Sequence, residues 1–291
     1  MIKEVDLSKF KARCSAIGKI MSNNAESAPL TDIQKVRMSE LEAKENPTEK
    51  QKQELAALLL KNENSLKFVP SGTCMEYLME AYAWETEQMI PVDKESMDVL
   101  QMKKGKLGEA TAVKLLSLVD GTEYFTHKER VSNDFLTGEI DIYSGIDVWK
   151  AISVADIKNS FDYPSFLKKI NTSVDLNWRL QVQGYGDILE PKNLLIAHCL
   201  VDTPDEVKEQ VKWRLAGKMN ALTIESPEFL KEWAKFDHSM TFNKTIPVHK
   251  RVFKQKVERW EPSYQQKVYD RVKNCRDWLC SFHEWYQQIN L

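Results

Sequence analysis

The amino-acid sequence predicts an α/β protein with a mixed central sheet that is flanked by helices. Three observations support this class. Apolar residues recur at helical spacing after residue 103, three short segments rich in β-branched and aromatic residues follow, and a second helical stretch precedes a continuous apolar strand. The predicted core order is therefore α-β-β-β-α-β. Charged amphipathic segments on both sides predict helical additions.

The 291 residues suffice to bury a full hydrophobic core. From the changes in pattern we expect a helical N-terminal region over residues 1–102, the core over 103–202 and a helical C-terminal region over 203–291. These regions are expected to pack as one compact domain.

The N-terminal region contains two charged amphipathic segments, residues 33–44 and 48–61. Pro47 fits the first turn of a helix, where its missing N–H is tolerated, and Thr48 is a suitable helix cap. The break at residues 70–72 precedes a further helix that is rich in aromatic residues.

The core begins with a helix over residues 106–119, which the turn sequence Asp120-Gly121 ends. Turn sequences then divide three predicted strands, which are residues 123–131, 137–143 and 148–158. The third strand is apolar or small on both faces, as a central buried strand should be.

A long helical stretch is predicted over residues 165–189, and Pro191 stops it. Residues 194–201 form a continuous apolar strand. Only helices are predicted after residue 205, and the last of them covers residues 263–288.

The composition is that of a soluble globular protein, with 42% apolar and 29% charged residues. No apolar run is long enough to cross a bilayer, and the charged N-terminal segment lacks the apolar stretch of a signal peptide. We therefore expect a cytoplasmic protein without membrane association. Its five scattered cysteines contain no CxxC pair, so they are expected to be free thiols rather than zinc ligands.

Three charged residues occur inside apolar strand patterns. Asp141 follows Gly138-Glu139-Ile140, and Asp156 and Lys158 flank Ile157. Unpaired charges in strand centres cost several kcal/mol each, so a compensating partner is expected. Side chains alternate along a strand, so Asp156 and Lys158 share a face while Ile157 points into the core. If the second and third strands are neighbours, Asp141 joins this pair.

Two carboxylates with a backbone carbonyl suit Mg²⁺, which retains several of its waters. The nearby lysine could orient or deprotonate a metal-bound water and neutralise charge developing at a phosphorus. A buried Asp–Lys salt bridge without catalysis is the alternative. The acid on the preceding strand and the α-β-β-β-α-β order favour the metal site.

Two helices offer supporting residues. Glu109, on the first core helix, could hold a second metal or its water. An acid in the first turn of a helix, favoured by the helix dipole, explains Glu109 as well. Gln181 and Tyr185 are four residues apart and share a face of the second helix. A partly buried polar pair that packs on the sheet is the alternative for these two.

Together these motifs resemble the PD-(D/E)XK nuclease superfamily, and within it the branch of phage lambda exonuclease, YqaJ and RecB. The resemblance rests on the sequences GKLGE, GEID, DIK and QVQGY within residues 103–201. It implies a restriction-endonuclease-like core and a metal-dependent phosphodiesterase. It also implies roles for individual residues. The metal ligands would be Asp141, Asp156 and the Ile157 carbonyl, with Lys158 as catalytic lysine, Glu109 as a further acid, and Gln181 and Tyr185 as the supporting helix pair.

The chain departs from the pattern of the superfamily at three positions. Ile140 replaces the usual proline, and Asp156 replaces the commoner glutamate. Glu109 stands where RecB nucleases often carry histidine, which favours the lambda-type branch. Cys275 and Cys280 do not form the C-terminal cluster of the iron–sulfur members, so no iron–sulfur centre is expected. Mg²⁺ is the expected cofactor, and Mn²⁺ is expected to substitute for it.

Candidate DNA contacts lie in three places. Residues 11–15 are similar to a segment that grips a terminal 5′-phosphate in the lambda-type enzymes, which makes Arg13 and Ser15 candidates; an ordinary helix face is the alternative. The net charge is −2, so positive potential must be local. Lys103, Lys104 and Lys106 supply it, as does the basic segment 249–259, although both runs also fit solvated helix faces.

The leading interpretation is a phage-type recombination exonuclease that degrades linear double-stranded DNA. The resemblance further implies a single-strand annealing protein as partner and a ring-shaped homotrimer. A structure-specific or restriction-like endonuclease is a second interpretation, because this core hosts both modes. A catalytically silent DNA-binding or assembly protein is a third, whose mark would be a substituted ligand or lysine; all are present.

Overall fold

The computed structural model describes residues 5–23, 29–66, 68–89 and 100–289. The chain forms two compact units. One consists of residues 1–12, 16–91 and 261–291, and the other of residues 13–15 and 92–260. These units do not coincide with the predicted regions. Residues 203–260 of the predicted C-terminal region belong to the second unit, and residues 261–291 belong to the first.

The first unit is helical in its described residues. It contains α1 (Ile17–Ile20), α2 (Asp32–Glu42), α3 (Glu49–Leu66), α4 (Gly72–Glu87) and α10 (Pro262–Ile289). The predicted cap Thr48 is confirmed, since its hydroxyl accepts the Gln51 N–H at 3.4 Å and its own N–H donates to the Gln51 side chain at 3.0 Å. Pro47 had been expected in the first turn of this helix, but it lies before the cap.

The second unit is built on a five-stranded sheet with the order β2-β5-β6-β7-β8. Its strands are β2 (Phe125–Thr126), β5 (Ile142–Gly145), β6 (Ala151–Asn159), β7 (Asn193–Cys199) and β8 (Val252–Lys256). β6 runs parallel to β7, whereas the pairs β5–β6 and β7–β8 are antiparallel. The sheet is therefore mixed, and the predicted fold class is confirmed.

A smaller sheet has the order β1-β4-β3 and consists of β1 (Ala12–Arg13), β3 (Val131–Ser132) and β4 (Leu136–Gly138). The helices of the second unit are α5 (Leu100–Asp120), α6 (Tyr163–Ile170), α7 (Leu176–Leu189), α8 (Asp205–Met219) and α9 (Pro227–Ser239). Within the described ranges, no helix combines the length and the hydropathy that a membrane crossing requires.

Helices cover both faces of β6. Ala155 and Ile157 face α5 and share a core cluster with Ala112 and Leu116 of that helix. Side chains alternate along a strand, so Asp156 lies on the opposite face, towards α7. This arrangement makes residues 153–157 of β6 buried throughout, in agreement with the prediction of a central strand.

Several predicted strands differ from those observed. The segment 123–131 is mostly irregular, and only β2 and the first residue of β3 are extended. The predicted strand 137–143 is divided between β4 and β5, which belong to different sheets. Residues Val148–Lys150 form a 3-10 turn that Asp147 caps, so β6 begins three residues later than predicted.

The helical stretch predicted over residues 165–189 is also divided. Asp162 caps α6 and Asp175 caps α7, each by accepting backbone N–H groups of the first turn. β8 was not predicted at all, because its charged, half-exposed sequence lacks the apolar signal of a strand. It completes the sheet at the edge beside β7.

Close approach of α7 to β4 depends on Gly138. A Cβ atom at this position would lie 2.6 Å from Cε1 of Tyr185 and 3.1 Å from Sγ of Cys14. Both neighbours are buried, so neither can move away easily.

We predict that Gly138→Ala lowers the free energy of unfolding by about 1–3 kcal/mol, because the methyl group overpacks a closed site. Urea denaturation measures this. The control is Gly217→Ala in α8, where a Cβ meets nothing within 4 Å. This control should raise stability by about 0.5–1 kcal/mol through helix propensity. Equal effects of the two substitutions would contradict the packing argument.

Candidate active site

The predicted acids meet where β5 begins beside the middle of β6. Ile142 pairs with Ala155, so Asp141, which directly precedes Ile142, lies next to Asp156. The Asp141 carboxylate accepts a hydrogen bond of 2.8 Å from the backbone N–H of Ile157. Because Asp141 directly precedes β5, this bond extends the contact between the two strands by one residue and fixes the carboxylate there.

Asp156 is almost completely buried, with 1% of its side chain exposed. Its Oδ2 lies 2.7 Å from Nζ of Lys158, which shares its face of the strand. Neither carboxylate oxygen accepts a well-oriented hydrogen bond from the described residues. One lysine therefore compensates this buried carboxylate only in part.

The electrostatics of the two acids reflect this shortage of partners. Burial, with the negative charge of Asp141 as second cause, raises the pKa of Asp156 to about 7. Burial also raises the pKa of Asp141, although the Ile157 N–H and the charge of Lys158 oppose the shift. Two neighbouring carboxylates with raised pKa values are typical of a functional site.

The donor set fits one hard divalent cation. Asp156 contributes an unpartnered buried oxygen, and Asp141 contributes a second carboxylate. The N–H and C=O of one strand residue point to the same edge, so the Ile157 carbonyl faces the edge where Asp141 lies. The described residues contain no group of three or more His, Cys, Asp or Glu arranged for a metal. Two carboxylates completed by a carbonyl and waters suit Mg²⁺ better than zinc.

Glu109 lies on α5, which approaches the sheet through Gly108. A Cβ there would meet Val201 at 3.1 Å and the Asn159 side chain at 3.3 Å. The Asn159 amide also donates to the Gly105 carbonyl at 3.2 Å. Partial burial and then the charge of Asp141 raise the pKa of Glu109. Glu109 is thus within electrostatic reach of the acidic pair.

Gln181 and Tyr185 form the predicted pair on α7. The Gln181 amide donates to the Tyr185 hydroxyl at 2.7 Å, and Tyr185 is 2% exposed. Burial and then the charges of Asp156 and Asp141 raise the pKa of Tyr185. The pair therefore lies on the same side of the sheet as the two carboxylates.

The sequence interpretation missed Trp178, which contacts the lysine of the site. Nζ of Lys158 lies 5.3 Å from the centroid of the Trp178 ring. Trp178 precedes Gln181 by three residues, so it belongs to the same helix face. This spacing was the available signal.

Arg13 and Ser15 are exposed, and Cys14 between them is buried. Strand β1, which ends at Arg13, pairs with β4, the strand that leads into Glu139 and Asp141. The sulfur of Cys14 is the atom that approaches Gly138. The structure thus brings Arg13 and Ser15 next to the GEID segment, and a 5′-phosphate contact remains a prediction.

Lys104 is not a surface residue, which corrects its assignment as a DNA contact. It is fully buried, its ammonium donates to the Phe161 carbonyl at 2.9 Å, and it lies 5.0 Å from the ring centroid of Phe242. Burial is the main cause that lowers its pKa to about 8. Lys103 forms an ion pair of 2.6 Å with Glu206, whereas Lys106 is exposed.

The basic segment 249–259 is a turn followed by edge strand β8 and is not a helix. Three of its cations have local partners. Lys254 pairs with Asp120 at 2.6 Å, Lys256 pairs with Glu258 at 3.0 Å, and Arg259 donates to the Pro191 carbonyl. These partners reduce the charge that the segment offers to DNA.

We predict that removal of the Asp156 charge flattens the pH dependence of stability in the presence of EDTA. The folded pKa lies near 7, above the unfolded value of about 3.9, so the folded state binds more protons between these pH values. Stability therefore falls as the pH rises from about 4 to about 7. Asp156→Asn should remove on the order of 1–3 kcal/mol of this fall.

Urea unfolding across this pH range tests the prediction, with the exposed Asp205→Asn as the control that keeps the dependence. Added Mg²⁺ should stabilise the wild type and leave Asp156→Asn unchanged. The assignment of the metal site would be contradicted by equal stabilisation of both proteins.

For Lys104 we predict an effect on stability and none on DNA. Its folded pKa of about 8 lies below the unfolded value of about 10.4, so the unfolded state binds more protons between them and stability rises with pH in this window. Lys104→Met should abolish this rise and change DNA affinity by less than about 2-fold. Lys106 follows Lys104 on α5 and lies on the exposed face of that helix. Lys106→Met should weaken DNA binding by about 2- to 5-fold. Denaturation curves and fluorescence anisotropy measure the two effects.

Comparisons with known proteins were made by sequence and by structure. No family model and no curated protein matches the sequence. A phage-related exonuclease from Haemophilus somnus 129PT matches the structure with a TM-score of 0.56 and 17% identity, over 96% of this chain and 97% of that one.

The alkaline exonuclease LHK-Exo from Laribacter hongkongensis matches with a TM-score of 0.52 and 10% identity, over 98% of this chain and 94% of that one. The same enzyme in complex with dAMP gives 0.51 and 10%, over 99% and 97%. These matches extend over nearly the whole chain and agree with the resemblance in the sequence motifs. The chain has the fold of these exonucleases.

Proposed function

We propose that this protein is a Mg²⁺-dependent deoxyribonuclease that hydrolyses phosphodiester bonds of linear double-stranded DNA from an end. The observation that carries the proposal is the buried Asp156. It lies beside Asp141 and Lys158, and its Oδ1 has no hydrogen-bond partner among the described residues. The names of the structural neighbours, all exonucleases, support the end-directed mode, and the dAMP that one of them binds supports DNA as the substrate.

Asp141, Asp156 and the Ile157 carbonyl would hold the metal, and Glu109 could take part in holding a second one. A bound Mg²⁺ would supply Lewis-acid stabilisation of charge on the phosphate. Each ligand has a fixed position, since the Ile157 N–H holds Asp141 and the centre of β6 holds Asp156. Preorganised ligands require little rearrangement when substrate binds.

Lys158 is suited to act on the attacking water and on the phosphate. Its ammonium is held 2.7 Å from Asp156, and its side chain is 26% exposed, so it is accessible from solvent. A cation in this position neutralises charge that develops on the phosphate oxygens, and it can exchange a proton with the nucleophile. Gln181 and Tyr185 close the site on the side of α7.

An end-directed mode is supported by Arg13 and Ser15, which are exposed beside the strand that carries Gly138. A guanidinium and a hydroxyl are suitable donors for a terminal 5′-phosphate. A ring-shaped homotrimer, a single-strand annealing partner and a cytoplasmic location complete the proposal. These three points rest on the sequence resemblance.

Cleavage assays test the activity. With Mg²⁺ or Mn²⁺ the wild type should degrade linear duplex DNA and leave closed circles intact, and EDTA should stop it. Asp156→Ala should abolish cleavage, and Lys158→Gln should lower kcat by at least about 100-fold. Lys150→Gln, an exposed lysine just before β6, serves as the matched control and should retain activity.

Each alternative has its own result in these assays. Cutting of closed circles would establish an endonuclease and contradict the exonuclease proposal. Absence of metal-dependent cleavage on every substrate would leave a DNA-binding or assembly protein. The 5′-phosphate contact is tested with linear DNA that carries a 5′-phosphate or a 5′-hydroxyl. The preference for phosphate should disappear in Arg13→Gln.

A further inference from the structure

Two lysines share one aromatic ring beside the acidic pair. Nζ of Lys158 lies 5.3 Å from the centroid of the Trp178 ring, and Nζ of Lys169 lies 4.4 Å from the same centroid. The two ammonium groups are therefore separated by less than about 10 Å. Lys169 comes from the last turn of α6 and Lys158 from β6, so separate elements bring these charges together.

The two lysines differ in how their charges are balanced. Asp156 pairs with Lys158, but no described carboxylate forms an ion pair with Lys169. The indole attracts the Lys169 ammonium through its quadrupole, which orients the cation without neutralising it. The C-terminal dipole of α6 also favours a cation there, but this effect is only partial and is screened by salt. Lys169 thus retains a positive charge for an external anion.

His198 packs beside Trp178 and adds no negative charge there. His198 on β7 pairs in register with Lys158, and its ring centroid lies 5.9 Å from that of Trp178. His198 is buried, and Nε2 is held at 2.8 Å from the Gln255 side chain. Burial, with the charges of Lys169 and Lys158 as further causes, lowers the pKa of His198, although the hydrogen bond with Gln255 opposes the shift.

We propose that Lys169, oriented by Trp178, binds the backbone phosphate of a nucleotide next to the bond that is cut. This inference rests on the proposed function, because Lys158 marks the position of the scissile phosphate. A lysine ammonium is a compact charge that binds a phosphate without demanding a particular base. Lys169 is then a substrate-binding residue, and Trp178 is a positioning residue that acts through it.

The experiment combines a protein variant with a neutral phosphate. Linear duplexes carry one uncharged methylphosphonate linkage at the first, second or third position beside the scissile bond, and kcat/KM is measured for each. For the wild type, a neutral linkage at one of these positions should lower kcat/KM by about 3- to 10-fold. On unmodified DNA, kcat/KM of Lys169→Gln should be lower than that of the wild type by a similar factor. The neutral linkage at the sensitive position should cause no further loss in this variant. Such coupling reports a direct contact, which a general structural defect does not produce.

Lys168→Gln is the matched control, because Lys168 is an exposed neighbour in the same turn. This control should keep the wild-type response to every linkage. The slope of log affinity against log salt should decrease by about 0.7–0.9 for Lys169→Gln but not for Lys168→Gln. Trp178→Phe should retain most of the coupling, and Trp178→Leu should lose it, with thermal unfolding showing that both are folded.

The proposed subsite is overturned if losses in Lys169→Gln add to those of every neutral linkage, or if Lys168→Gln behaves identically. In either case, Mg²⁺-dependent cleavage by the wild type would leave the proposed function intact. Absence of such cleavage would overturn the function and the subsite together.

Discussion

A carboxylate buried in the centre of a strand is the constraint on which the site depends. Asp156 occupies a position where an apolar side chain would cost nothing, and it has one lysine contact and no well-oriented hydrogen bond among the described residues. Asp141 adds a second negative charge beside it, which raises the pKa of Asp156 further. Such an arrangement destabilises the protein without a cation, and a strained polar cluster of this kind is typical of functional sites.

The rest of the second unit holds this unfavourable cluster together by close packing. Glycines stand where helices approach the sheet, at Gly108 towards Val201 and at Gly138 under Tyr185. A methyl group at Gly138 would require Tyr185 to shift, and one at Gly108 would be in tight contact with Val201 and the Asn159 side chain. Each of the motifs GKLGE and GEID thus contains a glycine that allows a helix to pack closely, and an acid of the site follows this glycine. Because the glycine and the acid of a motif depend on the same packing, the number of residues between them is restricted.

Some elements could be predicted from the sequence because local pattern and tertiary environment agree. Apart from Asp156, the centre of β6 is apolar or small on both faces and is buried throughout, and α10 follows its amphipathic pattern to within one residue. β8 could not be predicted, since an edge strand needs few apolar residues and its pairing with β7 is not local. The site shows the same division. The acids and Lys158 stand out as charges in apolar strands, whereas Trp178 acquires its role only when α7 packs over β6.

Lys104 shows why a run of like charges is a poor guide to a binding surface. Leu100, Lys104, Gly108, Ala112 and Leu116 recur every four residues and form the buried stripe of α5. The lysine lies on that stripe, while Lys106 points to solvent. Besides Lys158, which pairs with Asp156 on the same strand, other elements contribute cations, such as Arg13 at the end of β1 and Lys169 at the end of α6.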